Sequence, residues 1–125
     1  MRLAVDDGRG HAVCLDLPPN QGNDLGPTAL ELCVMSHVGC YATIFLLTAR
    51  KSRISVKDLE IKTKSIKSEE AGTITEEAFN IAVKTDAPRD RIQRIHKLTL
   101  LGCPVGILFE KAGVKTTYNL RTEKG

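Results

Sequence analysis

Residues 28–51 read TALELCVMSHVGCYATIFLLTARK, and this stretch decides the fold. Thr28 and Glu31 have the spacing of a capping box, which is typical of the start of a helix. The two basic residues at the end of the stretch suit a helix C-terminus. We therefore predict a helix that runs from Thr28 to about Ala49.

The predicted helix is apolar or small on almost every face, a composition shared with membrane spans. Polar residues and a glycine interrupt the apolar run, at Ser36, His37, Gly39, Thr43 and Thr48. We therefore expect no membrane span. We expect instead a helix that is buried on nearly all sides, partly by a second copy of the chain, because one small chain with few aromatic residues should not shield it alone.

Strands and shorter helices flank this helix. Alternating side chains and turn residues predict a hairpin from Arg2 to Leu17, a strand from Leu59 to Lys64, and another from Thr73 to Lys84 with a bulge near Glu76. Proline and glycine positions, with apolar residues at helical spacing, predict two further helices and a last strand. Their bounds are Pro88 to Leu101, with a stripe of Ile92, Ile95, Leu98 and Leu101, then Pro104 to Ala112, and Val114 to Leu120. The order indicates an α+β protein with mostly antiparallel strand pairing.

Composition narrows the class of function. A chain of 125 residues suggests a single domain over residues 1–125. The net charge of only +3 and the five aromatic residues (Tyr 2, Phe 3, Trp 0) argue against a nucleic-acid partner. The hydrophobic fraction of 42% excludes wholesale disorder. No secretion signal opens the chain, so we expect a cytoplasmic protein whose four cysteines serve packing, metal binding or redox chemistry.

Two of the cysteines have suggestive surroundings. Cys40 follows Gly39 in the middle of the long helix, and Cys103 precedes a helix-opening proline. At a helix start, free N–H groups and the positive end of the dipole favour a thiolate. Cys14 and Cys33 are expected to be packing residues. Redox chemistry and inert burial both remain open for Cys40 and Cys103.

A zinc site is a further alternative. Cys33, His37 and Cys40 are spaced four and three residues apart, which places them on one helix face. With Cys103 they would form a set of three cysteines and one histidine, a combination known in zinc sites. Three ligands on one rigid helix are unusual among such sites, so the cysteines alone do not decide between metal and redox chemistry.

Three motifs together resemble the OsmC/Ohr family, the osmotically induced and organic hydroperoxide resistance proteins. They are residues 26–32 (GPTALEL), the Gly39-Cys40 pair nine residues after the glutamate, and Cys103-Pro104-Val105. The resemblance extends to Gly10-His11, the strand order and the terminal strand, and so covers nearly the whole chain. It implies an OsmC-like fold, an intertwined homodimer with central helices covered by sheets. The chain begins so close to Arg2 that the family's first strand is expected to be missing or shortened.

The resemblance also assigns roles. Cys40 resembles the cysteine that attacks the peroxide, and Cys103 the resolving cysteine. Glu31 stands at the position of a glutamate that holds a catalytic arginine, and Arg2 best matches that arginine, with Arg9 as the alternative. For this activity we expect no cofactor and no bound metal. Cys33 and His37 stand where small apolar residues are common in the family.

Physical chemistry constrains these roles. Burial raises the pKa of a thiol, so an attacking Cys40 needs a nearby cation, and Arg2 is the candidate. Nine residues place Glu31 and Cys40 on opposite faces of a straight helix, roughly 13 Å apart along its axis. Glu31 is therefore expected to cap its own helix and, if it acts in catalysis, to act on the partner chain's site. His37 is expected to pack in the core.

The first hypothesis is thus a thiol-dependent peroxidase with a role in stress response. It would reduce an organic hydroperoxide through a Cys40 sulfenic acid that Cys103 resolves, and an external dithiol would restore the thiols. The second hypothesis is a non-enzymatic OsmC-like dimer that binds a small apolar ligand or has a structural role.

Overall fold

The computed structural model describes residues 2–125. Contacts divide these residues into two compact units, with the boundary between Ser36 and His37 inside the long helix. The elements, in chain order, are β1 (Arg2–Asp6), β2 (Ala12–Asp16), α1 (Ala29–Lys51), β3 (Asp58–Ser68), β4 (Thr73–Lys84), α2 (Arg89–Gly102), α3 (Pro104–Lys111) and β5 (Lys115–Glu123). This order confirms the α+β prediction.

The first unit contains the predicted hairpin. β1 pairs antiparallel with β2 from Arg2↔Asp16 to Asp6↔Ala12. The turn uses positive φ angles at Gly8 (79°) and Gly10 (89°), which only glycine adopts at low cost. The Asp6 carboxylate accepts a hydrogen bond from the Gly8 backbone N–H at 2.8 Å and so fixes the turn.

A capping box opens α1. The Glu31 carboxylate accepts a hydrogen bond from the Thr28 N–H at 2.9 Å, and the Thr28 hydroxyl accepts one from the Glu31 N–H at 3.1 Å. These two bonds satisfy backbone donors that the first turn of a helix leaves free. The predicted capping role of Glu31 is therefore confirmed.

The second unit contains a three-stranded sheet with the order β3-β4-β5. β3 and β4, which were predicted as strands, form a long antiparallel hairpin. β5 pairs with β4 in parallel, from Glu76↔Lys115 to Lys84↔Glu123, because α2 and α3 carry the chain back to the start of the sheet. The middle strand is therefore held on both sides.

A bulge in β4 changes which side chains face the core. Pairing with β3 steps from Ile66↔Glu76 to Lys67↔Ile74, which leaves Thr75 without a partner position. The extra residue puts Ile74 and Glu77 on the same side of the strand, and both are buried. The bulge was expected near this point from the phase of Ile74.

Helix α1 is only partly buried in one chain. Four residues at spacings of four, His37, Tyr41, Phe45 and Ala49, are its buried stripe. Large apolar side chains elsewhere on the helix are exposed, among them Met35 (54%) and Leu46 (44%). The single chain therefore leaves apolar surface on α1 uncovered, as expected, and its burial by a second copy stays a prediction. By length and composition α1 also passes as a membrane-spanning helix, a weak indication because core helices of soluble proteins do so too.

The core of the second unit joins α1, α2 and the sheet through Tyr41, Phe45, Phe79, Ile81, Val83, Ile92 and Ile95. On α2 the buried residues are Ile92, Ile95 and Thr99, while Leu98 and Leu101 are exposed. The predicted stripe was therefore wrong in its second half. At about 100° per residue, Thr99 stays in line with Ile92, and Leu101 lies on the opposite face.

Gly26 provides a test of the first unit. A Cβ at this position would overlap the Cys14 carbonyl oxygen, and the adjacent Pro27 carbonyl accepts a hydrogen bond from the Asp16 N–H at 3.2 Å. We expect Gly26→Ala to lower the free energy of unfolding by about 1–3 kcal/mol. The overlapping atom is a backbone carbonyl oxygen, which cannot move aside as the end of a flexible side chain can. Urea denaturation measures this.

The matched control is Gly102→Ala, whose Cβ would meet only the Ile44 Cγ2 atom at 3.6 Å, an ordinary contact. Equal stability losses in the two variants would contradict the proposed close approach at Gly26.

Candidate active site

Two cysteines meet in the second unit. Cys40 is half-buried in the middle of α1, and Cys103 is buried between α2 and α3. A hydrogen bond joins their side chains. The fold thus brings together two thiols that are far apart in the sequence, as predicted from the resemblance. Both are free cysteines.

The start of α3 holds the Cys103 thiol. Cys103 is the N-cap residue, as predicted, and its Sγ accepts a hydrogen bond from the Gly106 backbone N–H at 3.4 Å. This bond uses one of the free donors of the first helical turn. The sulfur is therefore held at a defined place beside Cys40.

Burial governs the ionisation of Cys103. It raises the pKa of the Cys103 thiol to about 11, with the hydrogen bond to Cys40 as the next cause, and the Gly106 N–H offsets only part of the rise. The prediction that the helix start would make Cys103 a thiolate is therefore wrong. Desolvation destabilises the Cys103 thiolate by more free energy than the hydrogen bonds of the helix terminus contribute to stabilising it.

A buried histidine–carboxylate pair lies next to the cysteines. His37 Nδ1 and Glu77 Oε1 are 2.7 Å apart, and both side chains have an exposed fraction of 0%. The His37 ring also packs between Phe79 and Phe109, with centroid distances of 4.7 and 4.6 Å. The Thr116 hydroxyl donates to Glu77 Oε1 at 3.3 Å. His37 therefore packs in the core, as predicted, and it also has a hydrogen-bond partner that the sequence did not indicate.

The second ring nitrogen of His37 and the Cys103 sulfur both lie beside Gly106. A Cβ placed on Gly106 would lie 3.2 Å from both His37 Nε2 and Cys103 Sγ, so the two atoms border the same small space. Within residues 2–125, His37 Nε2 and Glu77 Oε2 are buried without a hydrogen-bond partner. Only a residue without a side chain at position 106 leaves this space open.

A cavity of about 160 Å³ reaches Cys103 from the surface. Such a volume is comparable with that of a benzene-sized cavity in a protein core. Apolar and polar side chains share its wall, so it can admit a small molecule with both characters. The lining residues are Leu100, Cys103, Gly106, Glu110, Val114, Thr116 and Tyr118.

The other predicted site residues lie in the first unit. Arg2 is an exposed residue at the start of β1, and Glu31 is in the capping box described above. Arg9 pairs with Asp7 at 3.4 Å at the tip of the hairpin. The roles of Arg2 and Glu31 in catalysis stay predictions.

The zinc alternative finds no support in the part of the chain that the structure describes. Among residues 2–125, no group of three or more His, Cys, Asp or Glu side chains could hold a metal ion. Cys33 is exposed, and His37 is already bonded to Glu77. The set of Cys33, His37, Cys40 and Cys103 is therefore not a formed site.

Glu77 is the residue that sequence reasoning missed. It shares strand phase with the buried residues Phe79, Ile81 and Val83 of β4. A carboxylate within such an apolar face indicates a buried partner, because an unpaired buried charge is costly. That signal was present, although it does not name the partner.

The fold and its sequence pattern agree with known proteins. The chain superimposes on a structural genomics target with a TM-score of 0.88 and 24% identity, covering 99% of this chain and 92% of that chain. The OsmC-like protein from Mycoplasma pneumoniae gives a TM-score of 0.79 and 13% identity, covering 99% and 95%. The organic hydroperoxide resistance protein OhrB of Bacillus subtilis gives a TM-score of 0.65 and 16% identity, covering 97% of this chain and 96% of that chain.

A comparison with curated proteins gives no match. The sequence pattern of the family described as OsmC-like protein matches residues 22–119, which is most of the chain and includes both cysteines of the site. The family resemblance predicted from the cysteine motifs is confirmed, and the chain belongs to the OsmC-like protein family.

Proposed function

We propose that the protein is a thiol-dependent peroxidase that reduces organic hydroperoxides. The hydrogen-bonded pair of Cys40 and Cys103 is the observation that carries this proposal. The printed description of OhrB as an organic hydroperoxide resistance protein agrees with it. Family membership itself links the chain to hydroperoxide resistance and redox chemistry.

The reaction has three steps. The Cys40 thiolate attacks the distal peroxide oxygen, the O–O bond breaks, and the alkoxide leaves as an alcohol after it gains a proton. Cys40 is then a sulfenic acid. The Cys103 sulfur attacks the Cys40 sulfur, which forms a disulfide and releases water. An external dithiol reduces the disulfide and is itself oxidised.

The contact between the thiols suits this division of roles. A raised Cys103 pKa is what results when Cys103 donates its S–H to the Cys40 sulfur. The thiolate of Cys40 is the form that attacks a peroxide. Cys103 keeps its proton until Cys40 has been oxidised.

Arg2 and Glu31 complete the proposed site in a homodimer. A guanidinium donates to both a thiolate and a peroxide oxygen, and a carboxylate can orient it. Exposed apolar side chains on α1 supply the surface for a second copy of the chain. They include Met35, Leu46 and Leu47.

Cysteine variants test the reaction. We expect Cys40→Ser to abolish consumption of cumene hydroperoxide and formation of a sulfenic acid. We expect Cys103→Ser to retain the first step and to accumulate the sulfenic acid, because no thiol is left beside Cys40 to resolve it. Dimedone trapping followed by mass spectrometry measures the sulfenic acid, with Cys33→Ser as the matched control.

Retained peroxide consumption by Cys40→Ser would remove Cys40 as the attacking residue. Wild-type protein that loses no thiols on treatment with the peroxide would favour the second hypothesis, a non-enzymatic dimer with an apolar ligand.

The pH dependence of Cys103 gives a second test, in protein that carries Cys14→Ser and Cys33→Ser. We expect alkylation of Cys103 by iodoacetamide to rise toward a pKa of about 11. At neutral pH the thiolate fraction is then about a hundredfold lower than for an ordinary thiol. In Cys40→Ala the inflection should fall but stay above the ordinary value, because burial is the larger cause.

The dimer is tested by sedimentation. At micromolar concentration we expect a mass of about twice 13.7 kDa. Leu46→Lys should shift the protein toward monomer, because a charge would enter an apolar contact. Gln93→Lys, which adds the same charge at an exposed polar position of α2, should not. A wild-type protein that sediments as a monomer would contradict the dimer.

A further inference from the structure

The buried pair of His37 and Glu77 has no task in the reaction described above. Removing two ionisable groups from water is costly, and apolar residues of similar size would often make an equally stable core. The pair nevertheless lies at 0% exposure beside a reactive cysteine. Its position indicates chemistry that involves the neighbouring thiol.

Hydrogen bonding determines which nitrogen of His37 is available. When Glu77 is the acceptor at Nδ1, Nδ1 carries the hydrogen, and an imidazole in that tautomer presents its lone pair at Nε2. Phe79 and Phe109 hold the plane of the ring. Nε2 is without a hydrogen-bond partner among the described residues and borders the same space as Cys103 Sγ.

The resolving step needs a proton acceptor at this place. Attack on a sulfenic acid requires the Cys103 thiolate, and burial keeps the thiol protonated by raising its pKa to about 11. In the reduced protein the S–H of Cys103 is donated to Cys40. Oxidation of Cys40 to a sulfenic acid turns that acceptor into the atom under attack, so another base must take the proton.

We propose that His37, oriented by Glu77, accepts the thiol proton of Cys103 when the disulfide forms. The Cys103 S–H proton moves to Nε2, and the Cys103 sulfur forms a bond to the Cys40 sulfur. The S–O bond of the sulfenic acid breaks, and its oxygen takes a proton back from the imidazolium to leave as water. No net proton is consumed. This inference rests on the proposed function.

An acidic side chain at the cavity is an alternative acceptor for the Cys103 proton. Glu110 lines the cavity at Cys103, and its side chain is exposed to solvent. A carboxylate there could accept a proton through water. The geometry favours His37, because its Nε2 atom is buried, its ring is held by Glu77, Phe79 and Phe109, and Nε2 borders the same space as the Cys103 sulfur.

The decisive variant is His37→Asn in a Cys14→Ser, Cys33→Ser background. The asparagine amide can still donate to Glu77 from about the position of Nδ1, but no atom replaces Nε2. We expect disulfide formation to slow about a hundredfold, the usual size of a general-base effect. Formation of the sulfenic acid should stay within about threefold of the parent, so that dimedone-trapped Cys40 accumulates.

A second assay removes the dependence on peroxide chemistry. Cys40 is first converted to a mixed disulfide with an aromatic disulfide reagent whose released thiolate absorbs visible light. Attack by Cys103 then releases the coloured thiolate, and the rate of release reports the resolving thiol alone. His37→Asn should slow this release to a similar extent, whatever oxidises Cys40.

Two more variants keep the proposal testable if His37→Asn does not fold. Gly106→Ala leaves both groups in place but puts a methyl group 3.2 Å from each, which should separate them and slow release. Glu77→Gln keeps the shape of the pair and removes the charge. His96→Asn is the control, because His96 is a partly buried core histidine bonded to the Tyr41 hydroxyl at 2.6 Å. Circular dichroism and thermal unfolding establish which variants are folded.

The outcomes separate the two proposals. Slow coloured release in folded His37→Asn, Gly106→Ala or Glu77→Gln, with normal release in His96→Asn, supports the inference. Unchanged release of the coloured thiolate in the folded variants overturns it. Slow release that occurs only in a further variant, Glu110→Gln, also overturns it. Absence of a sulfenic acid in Cys103→Ser after peroxide treatment, together with slow release in the His37 variant, would overturn the peroxidase function and leave the proton transfer standing.

Discussion

The hydrogen bond between His37 and Glu77 is the constraint on which the second unit depends. It joins α1 to the middle strand of the sheet at a point with no access to water. A buried carboxylate without its partner would be strongly destabilising, so helix and strand cannot shift along each other. Cys40 lies one turn further along the same helix, and its approach to Cys103 follows from that alignment.

Much of this arrangement could be predicted from local patterns. Three of these patterns act over only a few residues: the capping box at Thr28, the hairpin glycines and the proline after Cys103. The structure shows each of them at the predicted position. The cysteine motifs led to the family because their spacing is specific. The bulge in β4 could also be predicted, because Ile74 is out of phase with Phe79 in a regular strand.

What could not be predicted depends on contacts between distant segments. The parallel pairing of β5 requires knowledge of where α2 and α3 return the chain. The partner of His37 lies forty positions away in the sequence, and periodicity cannot connect the two. Ionisation of Cys103 was misjudged for a related reason: a helix terminus can be recognised from its residues, whereas burial depends on what the rest of the chain packs over it.

The closeness of Cys40 and Cys103 has a consequence for the reductant. In an unfolded chain, a bond between them must close a long loop, at a free-energy cost of about 4 kcal/mol, but the folded chain has already closed it. Folding therefore favours the disulfide by the same amount, which corresponds to roughly 90 mV for a two-electron couple. In the proposed reaction, the thiol donor that regenerates the protein must be more reducing by that margin than one that serves an unstructured pair of cysteines. Oxidation, in turn, makes the second unit harder to unfold.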